Sequence, residues 1–224
     1  MIPAIIVAAG KGVRMNDKLR KQYLLLAGRP ILAYSLLAFD ACDLIDRIIL
    51  VVPPKDIDYC RKNIVAPLRL CKKIDLVPGG EKRQDSVYNG LMAVDKDAEI
   101  VVIHDGVRPF VSQEQAAACI AGAKEYGACI LGIPADDTLK QVNTSGFICN
   151  TLKRDDILLA QTPQAFKYDL IIKAHENARR EGFACTDDAS LVERLGGNVK
   201  IIYGSRRNIK ITNREDLVFA TALL

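Results

Sequence analysis

Arg14, Lys18, Arg20 and Lys21 follow closely on the glycines of Gly10-Lys11-Gly12, with Asp17 the one acid among them. A small-residue loop can turn several backbone N–H groups toward one point, and such a concavity binds anions, above all phosphates. The cations supply countercharge, so the chemistry that this stretch suits is the handling of a polyphosphate. Two familiar phosphate loops are excluded. The Walker pattern needs lysine and then Ser or Thr after its last glycine, whereas Gly12 is followed by Val13 and Arg14. The dinucleotide fingerprint needs a third glycine where Met15 stands, which argues against hydride transfer. A tight turn bearing solvated charges is the plain alternative. Against it stands the length of the basic segment, about ten residues with no helix or strand pattern.

Two further constellations carry chemistry. The segment from Gly79 and Gly80 through Glu81, Lys82, Arg83, Gln84 and Asp85 to Ser86 again sets glycines and polar groups after an apolar run. In an open parallel sheet, ligands bind beyond the carboxyl ends of strands, so this loop can share a pocket with the first; a plain connection is the alternative. In His104-Asp105-Gly106-Val107-Arg108-Pro109, Asp105 lies where a strand meets its loop, and a carboxylate beside cations and a polyphosphate suits Mg²⁺. The competing reading pairs Asp105 with Arg108 only. His104 reads as a core histidine rather than a base, because no nearby nucleophile needs one. Lys210 interrupts the apolar pattern of Asn208-Ile209-Lys210-Ile211-Thr212.

The elements that must position these groups alternate. Buried strands are expected over 4–9, 47–52 and 128–134, and further strands over 74–77, 99–104 and 199–203. Helical spacing recurs at Ile31, Tyr34, Ala38 and Ala41, with Pro30 suited to a first turn, and at Val87, Leu91 and Val94. A polar helix is expected over about 56–63 and another over 167–181, closed by Gly182. Ser112 and Gln115 have capping-box spacing for a helix that Gly127 ends, and Asn213 caps the terminal helix. Gln161-Thr162-Pro163-Gln164 reads as a loop, and Thr186-Asp187-Asp188 as an N-cap and first turn for which structure alone suffices. Between 136 and 155 the pattern becomes that of a β-hairpin turning at Asn143-Thr144-Ser145-Gly146. So thin a ribbon is marginal alone, and a partner subunit is its natural support. With no repeat or linker, residues 1–224 read as a single α/β domain with a protruding arm.

Composition bounds the rest. Half the residues are hydrophobic, enough for a substantial core. With 31 basic against 27 acidic residues, 6 % aromatics and no Trp, nucleic acid is disfavoured as the main partner. Seven cysteines without a Cys-x-x-Cys pair point to reduced thiols rather than to zinc or disulfides. No charged leader is evident and no apolar stretch approaches the ~20 residues that span a bilayer, so a cytoplasmic protein with no membrane partner is expected.

AAGKGVRM with Lys21-Gln22, GGEKRQDSV, HDGVRPF, DDTLK, QTPQAF, TDDASLVE and NIKIT together resemble the 2-C-methyl-D-erythritol 4-phosphate cytidylyltransferase family over nearly the whole chain. The resemblance implies a Rossmann-like, mostly parallel sheet flanked by helices, as in nucleotide-diphospho-sugar transferases, and a homodimer with interlocking β-arms. It further implies transfer of CMP from the co-substrate CTP to methylerythritol 4-phosphate with Mg²⁺. Carried over residue by residue, it assigns Ala8, Ala9, Gly10, Gly12, Arg14 and Lys21 to the triphosphate. Gly80, Glu81 and Ser86 go to the cytosine and its surroundings, and Asp105 and Gly106 to the ribose, α-phosphate and metal. Arg108, Thr162, Thr186 and Lys210 go to the second substrate, joined by Thr138 and Arg154 from the partner's arm. The chain departs from some members at Val7 and Glu81, without loss of charge.

The chemistry follows from charge. A phosphate oxygen of a polyol phosphate is already anionic, so no general base is needed, and catalysis rests on cations that let one anion approach another, a task suited to Arg14, Lys21 and Lys210. A ribitol 5-phosphate cytidylyltransferase, a purine nucleotidyltransferase and a silent nucleotide-binding protein are the alternatives.

Overall fold

The structure, a computed structural model, describes residues 1–10 and 20–224. Strand β1 (Pro3–Val7) is buried throughout. Its side chains alternate between faces, Ala4 and Ile6 toward one hydrophobic cluster, Ile5 and Val7 toward another, as the two-residue period of a strand requires. A small hairpin, β2 (Leu25–Leu26) and β3 (Arg29–Pro30), turns at Ala27 and Gly28, both with positive φ, and delivers α1 (Ile31–Asp40). Strand β4 (Arg47–Val52) leads into a helical run that is longer than the polar helix expected over 56–63. In it α2 (Ile57–Cys60) and α3 (Ala66–Leu68) are joined by a π turn over Arg61–Val65. Pro67 lies near the end of this run, which Arg69 stops with a left-handed φ of 48°.

Strand β5 (Lys73–Pro78), helix α4 (Arg83–Met92) and strand β6 (Ile100–Asp105) continue the alternation. Helix α5 (Gln113–Tyr126) starts with the Ser112–Gln115 capping box and stops at Gly127, whose φ of 89° favours glycine. After β7 (Ala128–Pro134) the arm is formed by β8 (Lys140–Val142) and β9 (Ile148–Thr151), a separate two-stranded sheet whose residues are all exposed. Then come β10 (Leu158–Lys167), α6 (Tyr168–Arg180), α7 (Ala189–Arg194), β11 (Lys200–Tyr203) and α8 (Arg214–Ala222), the last with a capping box between Asn213 and Asp216.

The main sheet has the order β11-β7-β10-β6-β1-β4-β5. All neighbours run parallel except β10, which is antiparallel to both β6 and β7. Here the structure corrects the sequence reading, because Gln161-Thr162-Pro163-Gln164 lies inside β10 rather than in a loop. Proline cannot donate to a ladder, which argued against a central strand. The register shifts between Gln161 and Gln164, and this irregularity accommodates Pro163. Helices cover both faces: α1 and α5 pack over Ile6, Leu50 and Val102, while α4, α6 and α7 pack over Ile5, Ile49 and Val101. A smaller cluster of Leu26, Ile31, Val107, Ile211 and Ala220 seats α8 beside the carboxyl end of β6.

Candidate active site

The carboxyl ends of β1, β5 and β6 come together because their register is locked. Val7 pairs with both Val51 and Asp105, and beyond the strands Ala8 N–H donates to the Val51 carbonyl, Gly79 N–H to that of Val52, and Gly106 N–H to that of Val7. A cavity opens there. Among the described residues it is lined by Ala8, Ala9, Gly10 and Lys21 from the first loop, by Gly80, Glu81, Lys82, Arg83 and Ser86 from the second, and by Asp105 and Lys210. A second cavity adjoins it, lined by Arg108, Gln161, Thr162, Gln164, Thr186 and Asp187, and shares Arg83, Asp105 and Lys210 with the first.

Several expected contacts resolve into specific jobs. The Gln22 side chain, almost wholly buried, donates to the Ala8 carbonyl at 2.6 Å and holds the first loop. Ser86 Oγ accepts from Gly80 N–H at 3.1 Å and donates to the Lys82 carbonyl at 3.0 Å, which shapes the second loop. Gly106 faces inward: a Cβ there would lie 2.8 Å from Leu32 Cδ1 and 3.2 Å from Ala8 Cβ, so glycine lets the β6 turn sit against the first loop. Gly12 and Arg14 lie outside the described residues. Thr138 and Arg154 are exposed on the arm, where Arg154 Nη1 donates to the Asp136 carbonyl at 2.8 Å.

Asp105 is the hub of the wall between the cavities. Its Oδ1 accepts from Arg83 Nε at 2.9 Å, and its Oδ2 is 2.7 Å from Lys210 Nζ. Arg108 Nε is 4.0 Å from Oδ2, so the Asp105–Arg108 pair weighed from spacing is present but long, and two closer cations join it. Burial works to raise the Asp105 pKa, but Arg83 and Lys210 outweigh it and hold the carboxyl far below its ordinary range. Arg108 is buried, donates from Nη1 to the Asn208 carbonyl at 2.7 Å, and has no hydrogen-bond partner on Nε among the described residues. A buried guanidinium left with donors beside a cavity is suited to an anionic ligand.

His104 is wholly buried and packs on Phe39. Its Nε2 lies 3.2 Å from the Arg108 carbonyl, which can only accept, so Nε2 carries the hydrogen and Nδ1 accepts from the Thr162 hydroxyl at 3.0 Å. Thr162 in turn accepts from Asp105 N–H at 3.1 Å. Burial pushes the His104 pKa down to about 4, which keeps the ring neutral at pH 7. The histidine therefore braces the turn that carries Asp105 and Arg108. Thr162 has committed its one hydrogen and can offer the second cavity only a lone pair.

Sequence reasoning missed Arg83 and Asp188. Arg83 Nη1 lies 2.7 Å from Asp188 Oδ2, and Asp188, fully buried, has its other oxygen 3.0 Å from His175 Nε2. Burial would lower the Arg83 pKa, but Asp188 and Asp105 raise it on balance. The segment does start α7 with Asp188 at the N-cap position, but Asp188 makes no side-chain cap bond; Asp187 Oδ1 receives the Ser190 N–H, and structure alone does not account for Asp188. Only the charge cluster around Arg83, at a strand end, hinted at this pair.

The family model for 2-C-methyl-D-erythritol 4-phosphate cytidylyltransferase matches residues 2–224. The chain belongs to this family. It is 48 % identical over 223 residues to the 2-C-methyl-D-erythritol 4-phosphate cytidylyltransferase of Pelotomaculum thermopropionicum, covering 100 % of this chain and 94 % of that one. The enzyme of that name from Caldanaerobacter subterraneus is also 48 % identical, over 100 % and 98 %. Among solved structures, the 4-diphosphocytidyl-2C-methyl-D-erythritol synthase of Anaerococcus prevotii superposes with a TM-score of 0.87 at 36 % identity, covering 99 % of this chain and 94 % of that one. The Francisella tularensis cytidylyltransferase gives 0.84 at 33 %, covering 100 % and 99 %. The mostly parallel sheet flanked by helices is thus the architecture of the family.

Proposed function

We propose that the chain transfers CMP from CTP to 2-C-methyl-D-erythritol 4-phosphate, giving the CDP-polyol and pyrophosphate in non-mevalonate isoprenoid precursor synthesis. The observation that supports this site assignment is the pair of adjoining cavities sharing Asp105, Lys210 and Arg83, which lets a nucleotide and a second anion meet at one wall. In the first cavity, Gly80, Glu81 and Ser86 receive the cytosine, Gly106 supports the ribose side, and Ala8, Ala9, Gly10, Gly12, Arg14 and Lys21 receive the triphosphate. In the second, Arg108 and Thr186 hold the polyol phosphate, and Thr162 accepts a polyol hydroxyl. Arg14, Lys21 and Lys210 neutralise the approaching anions and the departing pyrophosphate.

Mg²⁺ fits through Asp105. No group of three metal-ligating acids, histidines or cysteines occurs among the described residues, which suits an ion bound mainly by substrate phosphates with one protein carboxylate. When bound, the ion supplies charge for the α-phosphate and leaving group. In the ligand-free arrangement both Asp105 oxygens hold cations, so Lys210 exchanges from Asp105 to phosphate as the ligands enter.

The arm supports a homodimer. Val142, Phe147 and Ile148 are more than half exposed on it, and Thr138 and Arg154 on the same segment would complete the second cavity of the partner. No described helix is long and apolar enough to cross a membrane, and Cys42, Cys60, Cys119 and Cys129 are buried free thiols, which supports a cytoplasmic setting. The test is pyrophosphate release from CTP and Mg²⁺ with methylerythritol 4-phosphate or ribitol 5-phosphate. Release with the first and little with the second is expected; the reverse would move the protein to another polyol phosphate.

A further inference from the structure

Arg83 ties both cavities to the interior, yet none of the roles above uses it. Its Nε holds Asp105 at 2.9 Å and its Nη1 holds Asp188 at 2.7 Å. Asp188 is itself fixed: it is wholly buried, bonded to the buried His175, and its backbone N–H donates to Gln164 Oε1. Arg83 cannot leave without stranding a buried carboxylate, which is strongly unfavourable. Lys210, on the opposite oxygen of Asp105, is 37 % exposed and comes from a segment outside any helix or strand. One carboxylate thus has an anchored partner and an exchangeable one.

We propose that Arg83 is a positioning residue, anchored by Asp188 and His175, which fixes Asp105 at the wall between the cavities and allows Lys210 to pass from Asp105 to an incoming phosphate. This rests on the functional reading above. The charges show why. Asp105 and Asp188 face Arg83 and Lys210, a neutral quartet, with Arg108 unchanged beside it. Transfer of Lys210 to phosphate leaves Asp105 held by Arg83 with Arg108 at 4.0 Å, whereas without Arg83 the Asp105 carboxylate loses its nearest remaining cation and Asp188 loses its guanidinium partner. Loss of Arg83 therefore retains Lys210 on Asp105 and also leaves Asp105 without a rigid donor.

The decisive comparison is Arg83→Gln, Asp188→Asn and the double variant, which removes both charges of the buried pair and leaves two amides able to bond each other. Arg83→Gln is expected to raise KM for CTP and lower kcat. In the double variant KM is expected to return toward the wild-type value while kcat stays down by about 10–100-fold, the usual effect of losing a group that orients a reacting one. Wild-type kcat in a double variant of unchanged Tm overturns the proposal, because Arg83 would then serve only to neutralise Asp188. A crystal structure of the double variant gives a readout independent of turnover: a reoriented Asp105 carboxylate is expected, and an unchanged one overturns the proposal whatever the activity. Absence of wild-type turnover with CTP and methylerythritol 4-phosphate would instead count against the functional reading, and the crystallographic comparison would still decide the role of Arg83.

Discussion

Gly79→Ala isolates the closeness of the two loops that line the nucleotide cavity. A Cβ at Gly79 would lie 2.2 Å from Ala9 Cβ, with Ser86 Oγ at 3.0 Å and the Val52 carbonyl oxygen at 3.4 Å. Ordinary carbon contact begins near 3.5 Å, so the loops must separate by about 1.2–1.3 Å. Neither side yields easily. Ala9 follows Ala8, whose N–H is bonded to β4 at 2.7 Å, and Gly79 is bonded to the same strand at 2.8 Å. Overpacking of this kind costs about 1–3 kcal/mol of stability. A misplacement on the order of 1 Å in a positioned site costs about 10²-fold in rate. Steady-state pyrophosphate release should show kcat/KM for CTP down by about two orders of magnitude, and thermal unfolding should show a lowered Tm. Wild-type values in both assays would refute the idea that the close approach of these loops shapes the nucleotide site.

Other perturbations separate charge, protonation, capping and assembly. Lys21→Ala should lower kcat by on the order of 10²–10³, the effect of removing one transition-state-stabilising donor, and near-normal turnover would reduce Lys21 to a surface charge. His104 titrates near 4 when folded against an ordinary 6.5, so the unfolded chain binds the extra proton between those values and stability rises with pH across that window. Its contribution, about 3 kcal/mol, is present above pH 6.5 and lost as pH falls toward 4. The depressed carboxyls of Asp105 and Asp188 lose their contribution at lower pH, so His104→Gln should flatten the Tm profile between pH 4 and 6.5 in particular. Asn213→Ala removes the cap that accepts the Asp216 N–H at 2.8 Å and should cost about 1 kcal/mol without changing kcat. Phe147→Asp should shift sedimentation toward monomer if the exposed arm joins two chains, and an unaltered dimer would place the interface elsewhere.

The buried strands were legible because their signal is local. Apolar runs such as 47–52 and 100–103 need no partner to be recognised, and the caps at Ser112 and Asn213 are written in residues three apart. The convergence of Gly80 and Asp105 was also foreseeable, since parallel strands gather their following loops at one edge, whereas Lys210 was placed there by the family resemblance alone. What stayed hidden depends on pairing across long separations. Arg83 meets Asp188 over 105 positions, and nothing near either residue marks the other as its partner. The hydrogen of Thr162 is committed only because β10 runs antiparallel beside β6, which brings its hydroxyl to His104 and to Asp105 N–H. A proline inside the segment made it read as a loop, and the register shift that tolerates it exists only once the neighbouring strands are assembled.

The most direct measurement is a crystal structure of the protein with CTP and methylerythritol 4-phosphate under conditions that prevent turnover. Electron density is predicted to show cytosine against Gly80 and Glu81, the α-phosphate at the wall formed by Asp105 and Lys210, and the polyol phosphate beyond it against Arg108 and Thr186. Lys210 should have left Asp105 for phosphate while Arg83 remains bonded to both carboxylates. A nucleotide bound away from this wall, or a polyol phosphate outside the second cavity, would contradict the central claim that donor and acceptor meet there.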